Sequence, residues 1–526
     1  MSQQGVQKKE FPVPEIQAKG GDEGVQLGID LTLCPQDWLP EATNKRIRFT
    51  ARIYTFNGDR GEWEYKGEAG EKRTIKFSFK DVSKEPGVCM NFPAIDRANN
   101  NPDLFFPEDG YNAGLFAFSD DETDAAVNHA CPTEIENPND NAAHNHHYKT
   151  ATTTGAVPEA TIEVRCEDYG ACGTLQASAP DCKTLLPREA GAGCSQREGL
   201  NDVKIPRDAD GNHIADSAPH DNVGAAANQD GDNNPFGDGT QGDGLTNYEE
   251  YRGFIVKIGG GKGHTRTRID RKDIFIRDVD VLGTGYFSES GLEIHFIPGA
   301  EYYGGDSPNV PPVGRLRTTN PRAAGDRTQV INFNSGYAHG GDQHGLRLVT
   351  ENLQAAARTV SGFTFATDVK NPGPPGNINR IAINRDHINA RGIAHKLEKT
   401  IAHELGHAVC IRHHGDRTKD HEHEVAPIGQ GPSDHQKGIT SGDNSCVMRY
   451  DNVYPYWCNH YYVKFLKTPC IHTIFDSRNV NSEVLPHPLT FCDSDTGTGV
   501  NNQVNCGCIN NAKRGNCKSQ IRVKDW

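Results

Sequence analysis

The stretch HKLEKTIAHELGHAVCIRHHGD, residues 395–416, places metal-ligating side chains at helical spacing. His403 and His407 are four residues apart, so on a helix they share one face. Two imidazoles one turn apart can chelate a single zinc ion, and Glu404 lies beside the metal without having to ligate it. In such an H-E-x-x-H arrangement the glutamate serves as general base toward a water activated by the ion. His413 follows His407 at an offset that, on an unbroken helix, turns it well away from the other two. It completes a three-histidine set only if the helix ends near residue 410 and the chain turns back. His414 is the nearest substitute, and Asp416, Glu422 and Glu424 are weaker candidates.

The elements that must position these residues are legible in the apolar pattern. Leu397, Ile401, Leu405 and Ala408 recur at spacings of four, four and three, giving one core-facing stripe roughly opposite the histidines. A long helix is therefore expected from about residue 391. Before it, residues 271–282, 292–298, 328–334 and 379–386 read as strands, and LRLVTENLQAAARTV (346–360) reads as a helix. Nearer the start, segments 47–55, 73–80, 114–118, 160–166 and 173–179 alternate or run apolar between Gly, Pro, Asn and Asp, the pattern of an antiparallel β-sandwich.

With its third histidine, the segment resembles the metzincin clan of zinc endopeptidases, whose signature is H-E-x-x-H-x-x-G-x-x-H followed by a Met-turn. The turn is matched by Ser445, Cys446, Val447, Met448, Arg449 and Tyr450, in a chain with only 3 methionines. The resemblance implies zinc held by His403, His407 and His413, with Glu404 as base and Met448 as an apolar floor beneath the ligands. It also implies that Tyr450 lies near the metal, where it could hydrogen-bond the developing oxyanion, and that the substrate is a protein or peptide. Cys410 departs from the pattern, because the clan has a glycine there that commonly turns left-handed to end the helix. A cysteine in that conformation costs roughly 1–2 kcal/mol.

Upstream lie DADGNHIAD (208–216) and NQDGDNNPFGDGTQGDGLTNYEEYRGF (228–254). Acidic and amide side chains at alternate positions around glycine can present several oxygens to one hard cation. The segment resembles the calcium-binding linker repeats of secreted bacterial proteins. That resemblance makes Asp208, Asp210, Asn212 and Asp216 one candidate ligand set, with His213 where such a loop wants glycine. Asp230, Asp232, Asp238, Asp243 and Glu250 form the second, with Asn247 also fitting the repeat.

Composition bounds the remaining possibilities. The 526 residues carry 55 basic and 70 acidic side chains, a net charge of −15. A nucleic-acid partner needs a cationic surface, so none is expected. No apolar run is long enough for a membrane-spanning helix. The 15 dispersed cysteines suit disulfides formed in an oxidising compartment. The opening residues, MSQQGVQKKEFPVPEIQ, have no apolar leader core, so a secreted or extracytoplasmic mature form is expected from the cysteines alone. An intracellular chain with free thiols is the other reading.

The expected fold class is multidomain: an all-β Ig-like sandwich followed by an α+β, metzincin-like zinc peptidase domain. The expected divisions are a flexible tail (1–25), the sandwich (26–196), an Asp-rich calcium-binding connector (197–255), the catalytic domain (256–470) and a Cys-rich extension (471–526). The expected function is zinc-dependent hydrolysis of peptide bonds. The alternative is a calcium-dependent adhesion or surface protein whose peptidase domain is degenerate, a reading that rests on Cys410.

Overall fold

A computed structural model describes residues 25–41, 45–92, 103–107, 111–119, 148–192, 196–219, 226–236, 241–303, 329–335, 343–355, 358–366, 375, 378–392, 395–411, 446–448, 489–491 and 517–524. Among the described residues the chain is mostly β, in several sheets. Its four α-helices are α1 (Asn247–Arg252), α2 (Gly299–Tyr303), α3 (Arg385–Arg391) and α4 (Lys396–Ala408).

The expected fold class is not what forms. In the first part, a 6-stranded sheet and a 5-stranded sheet enclose one apolar core that includes Phe49, Phe77, Ile162 and Leu175. Strand Arg46–Asn57 begins in strict alternation of exposed and buried residues, which fixes its inward face. Yet Leu27–Leu31 pairs in parallel with Cys182–Thr184, and the strand orders do not make a clear Ig sandwich. Alternation identifies strands; it does not choose their neighbours.

The second part departs from the α+β expectation for a local reason. Residues 346–360, expected as a helix, instead supply most of the strand His344–Thr350 and the short strands Gln354–Ala355 and Arg358–Thr359. His344–Thr350 lies between two parallel neighbours, Asp273–Asp278 and Ile378–Ile383. It is buried at five of its seven positions, so burial does not alternate along it as it does along a half-buried strand. The sheet runs 293–296, 273–278, 344–350, 378–383, 362–366, and the last of these is antiparallel and at the edge.

α4 packs on this sheet beside strands 362–366 and 378–383. Its stripe behaves as the spacing demands: Ile401, Leu405 and Ala408 are fully buried, and Leu397 packs at the margin of the same core. The long helix expected from about residue 391 starts at Lys396; α3 precedes it, partly within the segment expected as a strand, and Gly392 and His395 are both left-handed between the two.

The Asp-rich segment is packed into the fold. Leu245, Phe254 and Val256 share a core with Met90 from the first part and with Phe275, Ile297 and Ile331 from the second. Arg252 of α1, fully buried, binds Asp168 through Nε and a terminal nitrogen, and also donates to the carbonyls of Pro86, Gly87 and Asn334. One guanidinium thereby joins three stretches of chain. No described helix is long and apolar enough to cross a membrane.

Candidate metal centres

The imidazole rings of His403 and His407 lie 4.8 Å apart, centroid to centroid, and nearly perpendicular. Each is oriented by a main-chain carbonyl. His403 Nδ1 donates to Val447 at 2.9 Å, and His407 Nδ1 donates to Ile411 at 2.8 Å. With the proton on Nδ1, the lone pair of each ring is on Nε2, the tautomer of a metal-ligating histidine with a supported outer nitrogen. Burial pushes the His407 imidazole down to about 4, so near neutrality it is uncharged and able to ligate.

The Ile411 carbonyl reaches His407 because the helix stops where it does. Cys410 N–H bonds to the carbonyl of His407 and Ile411 N–H to that of Gly406, the paired bonds of a Schellman motif. Cys410 occupies the left-handed position with φ +71°. The residue that departs from the glycine pattern therefore takes the conformation the glycine would have taken, and the chain turns back after residue 410. His413, the expected third ligand, lies outside the described residues, as do Tyr450, His414, Asp416, Glu422 and Glu424.

Glu404 is nearly buried, and burial pushes its carboxyl up to about 7 against an opposing hydrogen bond from Thr364. The Thr364 hydroxyl, on edge strand 362–366, lies 2.8 Å from Oε2 and equally close to the Glu404 carbonyl. Gly362 on the same strand makes room for this side chain, since a Cβ there would come 2.7 Å from Glu404 Cγ and 2.9 Å from Oε1. Neither residue was anticipated from the sequence; the signal is a strand pairing far from the motif.

Met448 is fully buried below α4. It crosses the helix at Gly406, where a Cβ would sit 2.6 Å from the sulfur. The glycine inside H-E-L-G-H thus admits Met448 to within contact of the turn that carries both histidines. The neighbouring Cys446 and Cys517 sulfurs are 3.4 Å apart.

The two acidic loops differ. Asp208, Asp210 and Asp216 bring carboxylate oxygens within 4.8 Å of one another. Their loop is closed on itself: Asp208 accepts from Gly211, Asn212 and His213, Asp210 accepts from Asn212, the Asn212 side chain accepts from Ile214, and Asp216 accepts from Ala209. His213 is left-handed, φ +67°, as the glycine expected there would be. In the second, Asp230, Asp232 and Asp243 also converge within 4.8 Å, and Asp232, Asp243 and Glu250 are at most 1% exposed. Burial and mutual repulsion push Asp232 up to about 8 and raise Asp243 and Glu250 as well. Asp273, on strand 273–278, belongs to the same group although no spacing pointed to it: Asp243 Oδ2 accepts from its N–H at 2.7 Å. Asp238 lies outside the described residues.

Compared with known proteins, the chain matches no family model, no curated protein and no solved structure.

Proposed function

We propose that this protein is a zinc-dependent endopeptidase whose general base is Glu404. The observation that carries the reading is the pair of histidines on one face of α4, both fixed as Nδ1–H tautomers by main-chain carbonyls, with a buried carboxylate between them in sequence. These residues fit zinc: two neutral nitrogen donors at one-turn spacing, each braced by an outer hydrogen bond, leave room for a third ligand and an open position. His403 and His407 would hold the ion together with His413, and the bound ion supplies a Lewis acid that polarises the peptide carbonyl and acidifies water.

The remaining chemistry belongs to the chain. Thr364 occupies Glu404 Oε2, so Oε1 is the oxygen that takes the proton of the attacking water and passes it to the leaving amine nitrogen. The space beside Gly362 keeps that carboxylate in place. Tyr450 is assigned to the oxyanion, a hydrogen bond of a kind often worth about 2.7–4 kcal/mol. Cys410 takes the left-handed turn with the braces of both histidines in place, which supports the peptidase reading over the adhesion alternative.

The test is Glu404→Gln. It should retain zinc and lose casein-cleaving activity by about 10²–10⁴-fold, and o-phenanthroline should abolish the wild-type activity. Undiminished cleavage by the variant removes Glu404 from the reaction, and cleavage that resists the chelator removes zinc.

A further inference from the structure

Three carboxylates, Asp230, Asp232 and Asp243, bring oxygens within 4.8 Å of one another where the Asp-rich segment meets the second sheet, and Glu250 and Asp273 lie near enough to act on them electrostatically. Asp230, Asp232 and Asp243 come from the loop before α1, Glu250 from α1, and Asp273 from strand 273–278. Asp243, Glu250 and Asp273 are 0% exposed and Asp232 is 1% exposed. Some of their oxygens are accounted for: Asp230 accepts from the N–H groups of Asp243 and Gly244, Asp243 from Leu245 and Asp273, and Asp273 Oδ1 from His295 Nε2. Five are not. Both oxygens of Asp232, both of Glu250 and Oδ2 of Asp273 are buried with no hydrogen-bond partner.

A buried carboxylate oxygen with neither a donor nor water is costly, and several facing one another are more so. The cationic groups at hand are Lys524, 3.4 Å from Asp230, the buried Lys272, and His295 on Asp273. Among the described residues, five carboxyls face at most these three groups, so at least two of them have no cationic partner. The loop is also shaped around the cluster: Gly242 is left-handed, φ +83°, and a Cβ there would overlap the Asp230 carboxylate.

We infer that these residues form a site for one hard divalent cation, calcium by the number and kind of its oxygen ligands, in which Asp273 of the second sheet is a ligand alongside Asp230, Asp232, Asp243 and Glu250. An all-oxygen, multi-carboxylate set suits Ca²⁺ better than Mg²⁺, which keeps its waters and demands an octahedron. The consequence lies in where the ligands come from. A cation held by the loop alone would stiffen the loop; one shared with Asp273 fastens the loop and α1 to strand 273–278, two positions from the strand that pairs directly with the edge strand bearing Thr364. The first loop, 208–216, satisfies its own oxygens and is not part of this site. The inference stands whether or not the protein is a peptidase.

The experiment uses the full chain, freed of metal and then saturated with zinc, titrated with CaCl₂ or MgCl₂ by calorimetry and by thermal unfolding. Wild type should bind one Ca²⁺ at this site, with a Tm rise of several degrees at 1,000 Kd and a much smaller response to Mg²⁺. Asp273→Asn should weaken calcium binding at least 10-fold while leaving zinc content unchanged. Glu250→Gln, whose oxygens make no hydrogen bond to lose, should do the same and raise the Tm of the calcium-free protein. Wild-type calcium affinity in Asp273→Asn would confine any site to the loop and overturn the inference. So would a wild-type Tm indifferent to calcium, or a fall in the calcium-free Tm of Glu250→Gln with the calcium response intact.

Discussion

Gly406→Ala should separate a helix that merely carries histidines from one built around Met448. On an open helix face the change stabilises by about 1 kcal/mol, because alanine is the better helix former. Here the new Cβ would meet Met448 Sδ at 2.6 Å, Met448 Cε at 3.3 Å and Phe491 Cε1 at 3.2 Å. Carbon contacts relax near 3.5–4.0 Å, so the sulfur must retreat by about 1 Å. Met448 and Phe491 are 0% and 2% exposed, so both are held within the core. Overpacking of this kind costs about 1–3 kcal/mol, which cancels the propensity gain and leaves a net loss of up to about 2 kcal/mol. On the proposed zinc site the expected effect is larger. Val447 precedes Met448, and its carbonyl holds His403 Nδ1 at 2.9 Å. A shift of about 1 Å takes that bond beyond hydrogen-bonding range, and loss of an outer-shell partner of this type lowers metal affinity 10–100-fold. Zinc competition with a chelating dye, run beside thermal unfolding, reads both quantities. In a Met448→Ala background the alanine at 406 has room, so the double-mutant cycle should show at least about 1 kcal/mol of favourable coupling. A raised Tm with unchanged zinc affinity in Gly406→Ala would refute the packing argument.

Two further outcomes concern the frame that holds the site. Arg252→Met should destabilise the protein by about 3–5 kcal/mol in denaturant unfolding, because it strands Asp168 as a buried charge and orphans three carbonyls; adding Asp168→Leu should recover part of the loss. Asp30 gives a pH signature: burial pushes its carboxyl up to about 6 from 3.8, outweighing Arg188 and the Tyr54 hydroxyl. The folded state therefore binds this proton more tightly than the unfolded state. Its contribution is fully present below about pH 4 and is lost as pH rises through 6, a swing of about 3 kcal/mol that the difference between wild type and Asp30→Asn across that window should display.

What the sequence made legible was short-range. The one-turn spacing of His403 and His407, the stripe from Leu397 to Ala408 and the need for a turn after residue 410 all follow from helix geometry, and each can be read within a few residues. Cys410 and His213 are informative because the backbone takes the left-handed conformation at both despite the missing glycine; local bonding and packing override a steric cost that the sequence exposes. Sheet pairing was not legible. Thr364 and Gly362 reach Glu404, and Asp273 reaches Asp243, only because strands distant in the chain become neighbours. The segment 346–360 reads as a helix for a related reason: its main strand lies between two distant strands and is buried at most positions, so its burial carries no clean alternation. The Ig-like and α+β architectures assumed particular strand neighbours and helix content that no short window encodes.

The most direct measurement is the zinc content of the purified chain after dialysis against buffered zinc, read by metal analysis and by anomalous scattering at the zinc edge. Wild type and Glu404→Gln should each hold one equivalent, with anomalous density between His403 and His407, and His403→Ala and His407→Ala should each hold almost none. Zinc-free wild type, or full occupancy retained in either histidine variant, would contradict a metal centre on α4.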